Sequence, residues 1–253
     1  MSFEMEPQPE GRRGDAVSRQ IALTSVFITW TIVLINNPQQ SGWFALHPTL
    51  QSLAVLAFAF GIITLQPTNQ PKTKAAGLAR HQIAVFIGLP SIVLGTSAVY
   101  YNKVLRGSNH FTTWHGTLGL FCMAWLFFQM FLGAGSVWSG GVLFGGGMKA
   151  KALWKYHRQV PEGNVYPRSH QSMPYRVSGY ILFPLLLFTV HLGGAWSTWG
   201  SKYASWFVRF VSYTAAPLAI ILGVYTRLRS VNFCALNGII LTFRDRTFKM
   251  PIL

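Results

Sequence analysis

Six long apolar blocks dominate the chain, at roughly 17–36, 43–65, 82–101, 113–136, 177–197 and 205–226. Most reach the ~20 residues that a helix needs to cross the hydrocarbon layer of a bilayer. The first is the shortest: it runs cleanly only from Ile21 to Ile35, before Asn36 and Asn37. Residues 1–18 are polar, with Pro7, Pro9, Gly11 and Gly14, and read as a disordered tail. Between the fourth and fifth blocks stand Gly140, Gly141, Gly145, Gly146 and Gly147, then a basic polar run. Residues 228–253 are mixed and basic, and their apolar stretch from Ala235 to Phe243 is too short to span. The pattern therefore predicts an all-α membrane protein with six transmembrane helices over residues 19–227, flanked by two tails.

Composition supports that reading. Of 253 residues 51% are hydrophobic and only 11% charged, where a soluble domain carries about 25% charged residues. The net charge of +15 raises the question of nucleic acid. The basic residues, however, fall between apolar blocks rather than in one patch, so no nucleic-acid partner is expected and the lipid bilayer is. Cys122 and Cys234 make neither a disulfide framework nor a metal-ligand spacing. The acidic and polar N-terminus does not read as a cleavable leader, so the first block is expected to insert and stay.

Lysine and arginine give the orientation. Seventeen of the 21 lie before or at the start of the first block, between the second and third, between the fourth and fifth, or after the sixth. The opposite side holds only Lys103, Arg106, Lys202 and Arg209. The positive-inside rule then puts both termini in the cytosol, in agreement with an even number of spans.

His47, His81 and His115 recur every 34 residues at the starts of blocks two, three and four. Successive spans run in opposite directions, so His47 and His115 share the outer depth and His81 lies near the cytosolic face. His157, in Trp154-Lys155-Tyr156-His157-Arg158, falls on the cytosolic side too. A single histidine at a helix end is more often an interfacial anchor than a ligand, and equal spacing can follow from equal span lengths. Two same-depth pairs under an independently derived topology change that balance. Two neutral imidazoles facing one another across a bundle are the axial set of a haem iron, and two such centres would form an electron wire across the bilayer. Zinc favours closed tetrahedral sets with Cys or carboxylate, and none accompany these histidines. A proton relay would carry intramembrane acids, whereas Glu4, Glu6, Glu10, Asp15, Glu162 and Asp245 all lie outside the blocks.

Trp43-Phe-Ala-Leu-His47-Pro48, Arg80-His81, Trp114-His115-Gly116 and Lys155-Tyr156-His157-Arg158 resemble the four histidine signatures of the cytochrome b561 family. Val177-Ser178-Gly179-Tyr180 is similar to the family's fifth-helix segment, and His110-Phe-Thr-Thr-Trp-His115-Gly116 to its short, single-domain branch. The resemblance covers roughly residues 20–227. It implies a central four-helix bundle of helices 2–5 holding two haem b groups, ligated by His47 with His115 and His81 with His157. It also implies transmembrane reductase activity. The usual donor in the family is cytosolic ascorbate, and the usual acceptors are monodehydroascorbate radical or a ferric chelate. Family members are often homodimers. One departure stands out. In the family the Tyr-His-Arg motif runs almost directly into Ser-Gly-Tyr, whereas residues 159–176 intervene here, with Pro161, Gly163, Pro167 and Pro174 opposing a continuous helix. His170 is thus the second-choice ligand behind His157.

Lys72, Lys74, Arg80, Lys151 and Lys155 could together bind a monoanionic donor on the cytosolic side, although topology and anionic lipid explain any one of them better. His110 is the corresponding candidate outside, at the rim of the outer centre. His191 reads as a satisfied packing histidine and Arg209 as a residue snorkelling to headgroups. The alternative to electron transfer is a haem-free membrane binding or channel protein whose histidines are interfacial anchors.

Overall fold

A computed structural model describes residues 13–36, 38–65, 71–157 and 178–224. Among the described residues there are helices and turns and no strand. The helices are α1 (Arg13–Ile35), α2 (Leu46–Thr64), α3 (Pro71–Leu105), α4 (Trp114–Val137), α5 (Gly147–His157), α6 (Ser178–Ala195), the short α7 (Thr198–Tyr203) and α8 (Trp206–Val224). A helical turn at Pro38–Ser41 and a 3-10 turn at Gly42–Ala45 lead into α2. All six apolar blocks are helical. Among the described residues five helical stretches are long and apolar enough to cross a membrane, while the apolar part of α6, Ile181–Ala195, is shorter. The chain is an all-α integral membrane protein.

The helices meet membrane demands locally. In α1 the hydroxyls of Thr24, Ser25, Thr29 and Thr31 each donate to the carbonyl four residues back, so none of these four donors is left bare in hydrocarbon. Helix α3 ends where Gly107 adopts φ 58. Gly107 N–H then reaches Val104 O and Ser108 N–H reaches Lys103 O, closing the last carbonyls of the helix. Helix α4 starts on Thr113, whose hydroxyl accepts from Gly116 N–H.

Helices α2 and α3 form one closely packed pair, with α1 against α2; α4 packs on α5 and on α6. The core joins α1, α2, α3, α4, α6 and α8, and within it Ala22, Ala54, Ala59, Cys122, Leu187 and Ile220 are almost wholly enclosed. Phe27, Leu34, Phe86 and Leu222 lie on the outer surface, where lipid would cover them.

After α4 the chain turns sharply. Ser139, Gly140 and Gly141 all take left-handed conformations, and so do Gly145, Gly146 and Gly147. Gly141 lies so close to the Ala150 side chain that a Cβ there would collide with it. The turn sends α5 back along the end of α4.

Candidate functional site: two facing histidine pairs

His47 and His115 are the second residues of their helices and His81 lies about three turns into its own, and each points across the bundle. His47 on α2 faces His115 on α4, with ring centroids 5.8 Å apart and planes at 82°. His81 on α3 faces His157, the last residue of α5, at 6.1 Å and 64°. The pairs expected from topology are thus the pairs observed. His170 and the rest of 159–176 lie outside the described residues.

The other ring nitrogen of each histidine is committed. His47 Nδ1–H donates to Gly95 O at 3.1 Å and His81 Nδ1–H to Gly61 O at 3.2 Å. His115 Nδ1–H donates to Thr189 O at 2.9 Å and His157 Nδ1–H to Gln129 O at 2.8 Å. A carbonyl can only accept, so each Nδ1 carries the proton and each Nε2 keeps its lone pair. Donation to a backbone carbonyl is the usual way in which a protein orients a metal-binding imidazole and raises its basicity.

Glycines make room for the rings. A Cβ on Gly133 would sit 2.7 Å from His157 Cε1, and one on Gly193 2.5 Å from His115 Cε1. Both glycines lie one turn beyond the carbonyl that holds the same ring, Gln129 and Thr189 respectively. A side chain at either position would push the imidazole off its acceptor. Gly95 and Gly61 are themselves the acceptors for the other two rings.

The arrangement repeats along each helix. From His47 to Gly61, from His81 to Gly95 and from His115 to Gln129 the interval is fourteen residues, close to four helical turns. Each of α2, α3 and α4 therefore offers an imidazole to one layer and a carbonyl to the other. The two layers are about 20 Å apart along α2.

This donor set fits a metal bound between two axial imidazoles. A metal–nitrogen bond of about 2 Å puts the ring centre roughly 3 Å from the metal, so opposed rings stand roughly 6 Å apart. Both observed separations match. Among the described residues no cluster of three or more His, Cys, Asp or Glu gathers anywhere.

Residues 46–157 match the family model for eukaryotic cytochrome b561. Over that stretch the chain is similar to the family. The matched region holds all four paired histidines, together with the carbonyls of Gly61, Gly95 and Gln129. The chain is 29% identical over 124 residues to the transmembrane reductase CYB561D2 of Bos taurus, an alignment covering 47% of this chain and 52% of that one. It thus spans about half the length of the curated relative it matches. No solved structure matches it.

The other candidates are scattered. His110 stacks on Tyr100, with centroids 4.2 Å apart, in the α3–α4 connection where Lys103 Nζ donates to Asn109 O. Arg80 is exposed beside His81. The side chains of Lys72, Lys74, Lys151 and Lys155 lie outside the described residues. Arg209 does not reach outward as expected: its Nη1 donates to Ala195 O at 2.9 Å and closes the end of α6. Sequence reasoning missed the carbonyls of Gln129 and Thr189 and the glycines Gly61, Gly95 and Gly193. A glycine fourteen residues after His47 and after His81 was the available signal.

Proposed function

We propose that the chain is a two-haem transmembrane electron carrier. His47 and His115 would hold one haem b near the non-cytosolic face, and His81 and His157 the other near the cytosol. The observation that carries this reading is the pairing itself: four imidazoles, each with Nδ1 bound to a carbonyl, opposed two by two at the separation that a metal between them requires. A haem with both axial positions filled passes single electrons between its ferric and ferrous states and leaves no place on iron for oxygen or substrate.

The polypeptide's part is to hold and insulate. The carbonyl bonds fix ring orientation and strengthen the Nε2 donors. Gly133 and Gly193 let the rings lie against the helix backbones. The seam of alanines and leucines excludes water between the layers. Arg80, with Lys72, Lys74, Lys151 and Lys155, would supply positive charge for a cytosolic one-electron donor, with ascorbate as first choice. His110 marks the rim on the other side, where monodehydroascorbate radical or a ferric chelate would accept the electron. The match to a transmembrane reductase supports an oxidoreductase reading, as does the membrane-spanning build.

Purified protein should show reduced-minus-oxidised Soret and α bands with two haems per chain. His115→Leu should bring that ratio to one. Protein without these bands would favour the haem-free channel reading and sink this one. In vesicles loaded with ascorbate, an external ferric chelate should be reduced only when the holoprotein is present.

A further inference from the structure

The fifth histidine of the membrane region, His191, belongs to neither pair, yet it is fully engaged. Trp196 Nε1–H donates to its Nε2 at 2.9 Å. An indole can only donate, so the proton of His191 must sit on Nδ1. That Nδ1–H lies 3.0 Å from Tyr213 O and 3.1 Å from Thr214 Oγ1.

Tyr213 O has no α-helical donor. It lies in the π-helical turn Val211–Ala215 of α8, where Ala216 N–H reaches five residues back to Val211 O. Four residues after Tyr213 stands Pro217, which has no N–H to return to the Tyr213 carbonyl. A carbonyl short of donors inside a membrane is costly, and His191 supplies one. The Tyr213 hydroxyl bonds Thr29 of α1 at 3.0 Å, so α1, α8 and α6 are tied at one level.

That level is also where α6 holds the first pair. Thr189 and Gly193, one turn apart, face His115. His191 lies midway between them in sequence, about 200° around the helix from Thr189, and so projects from the opposite side. Gly193 and Gly194 divide in the same way: the first admits the His115 ring, while a Cβ on the second would overlap the Tyr213 ring. Helix α6 is gripped between His115 on one side and the Tyr213 clamp on the other.

We propose that His191 is a positioning residue for the first centre: by donating to the Tyr213 carbonyl it ties α8 to α6 and fixes the Thr189 carbonyl that orients His115. This rests on the reading that His47 and His115 hold a haem. Slackening the clamp would weaken the bond from His115 Nδ1–H to Thr189 O. The ligand would become less basic, and the ferrous form would gain relative to the ferric.

Potentiometric titration of holoprotein, with low-temperature electron paramagnetic resonance, tests this. The signal lost in His115→Leu identifies the first centre. His191→Leu should raise the midpoint of that centre and shift its ferric resonance, leaving the second centre unmoved. His191→Asn keeps an N–H for the Tyr213 carbonyl and should restore most of the wild-type value. Trp196→Phe alters an exposed residue and leaves folding intact; by releasing the tautomer it should shift the same centre the same way, by less. Unchanged midpoints in Trp196→Phe and His191→Leu overturn the proposal, as does an equal shift of both centres or a His191→Asn value no closer to wild type. Wild-type protein lacking two haems would instead overturn the proposed function.

Discussion

A single methyl group measures how tightly the rings are held. Gly193→Ala places a carbon against His115, and Gly133→Ala does the same to His157. Overpacking of this kind costs about 1–3 kcal/mol. Each variant should lose occupancy of its own centre by half or more, read as haem per protein, with the other centre intact. Equal losses at both sites in either variant would contradict the assignment of these glycines. At this scale the sequence was only half legible. Histidine is a rare, polar residue in an apolar block, so His47, His81 and His115 stand out by type and spacing. Their acceptors do not, because every residue carries a carbonyl. Gln129 and Thr189 serve through their backbones, and nothing in their side chains announces it.

Among the elements, α5 decides the fourth ligand. The six apolar blocks were readable from length and hydropathy, since a span must satisfy its own backbone and so must be a helix. Helix α5 was not, being short, basic and outside every block. The left-handed run at Ser139–Gly141 and Gly145–Gly147 folds it back along α4, and eleven residues bring His157 level with Gln129 and Gly133. The spacing rule would put the fourth imidazole fourteen residues before Thr189, at Tyr175, which has none; His157 arrives from the other direction. His157→Leu should therefore abolish the second centre and leave one haem per chain, whereas His170→Leu should leave both. Pyridine haemochrome assays with the two spectra would tell these apart.

For the whole molecule, charge and burial act over longer distances. With 21 lysines and arginines against 6 acids, an anionic donor should be drawn to the face on which the proposed topology gathers the positive charge. Raising ionic strength from about 0.01 to 0.15 M shortens the screening length from about 30 to 8 Å, so the rate of haem reduction by ascorbate should fall several-fold in stopped flow. A neutral hydroquinone should show little change. Both centres should also refuse carbon monoxide, because their axial sites are filled; a Soret shift of the reduced protein under that gas would mean that one imidazole is absent.

The crossing of ligands and acceptors between layers sets an order of birth. Everything that frames His81 and His157 — Gly61, Gln129 and Gly133 — has been made once translation reaches residue 157. His47 and His115 must wait for α6 to deliver Thr189 and Gly193. The layer of His81 and His157 is thus the first to be finished, and the layer of His47 and His115 closes last, when the final helices slide into place.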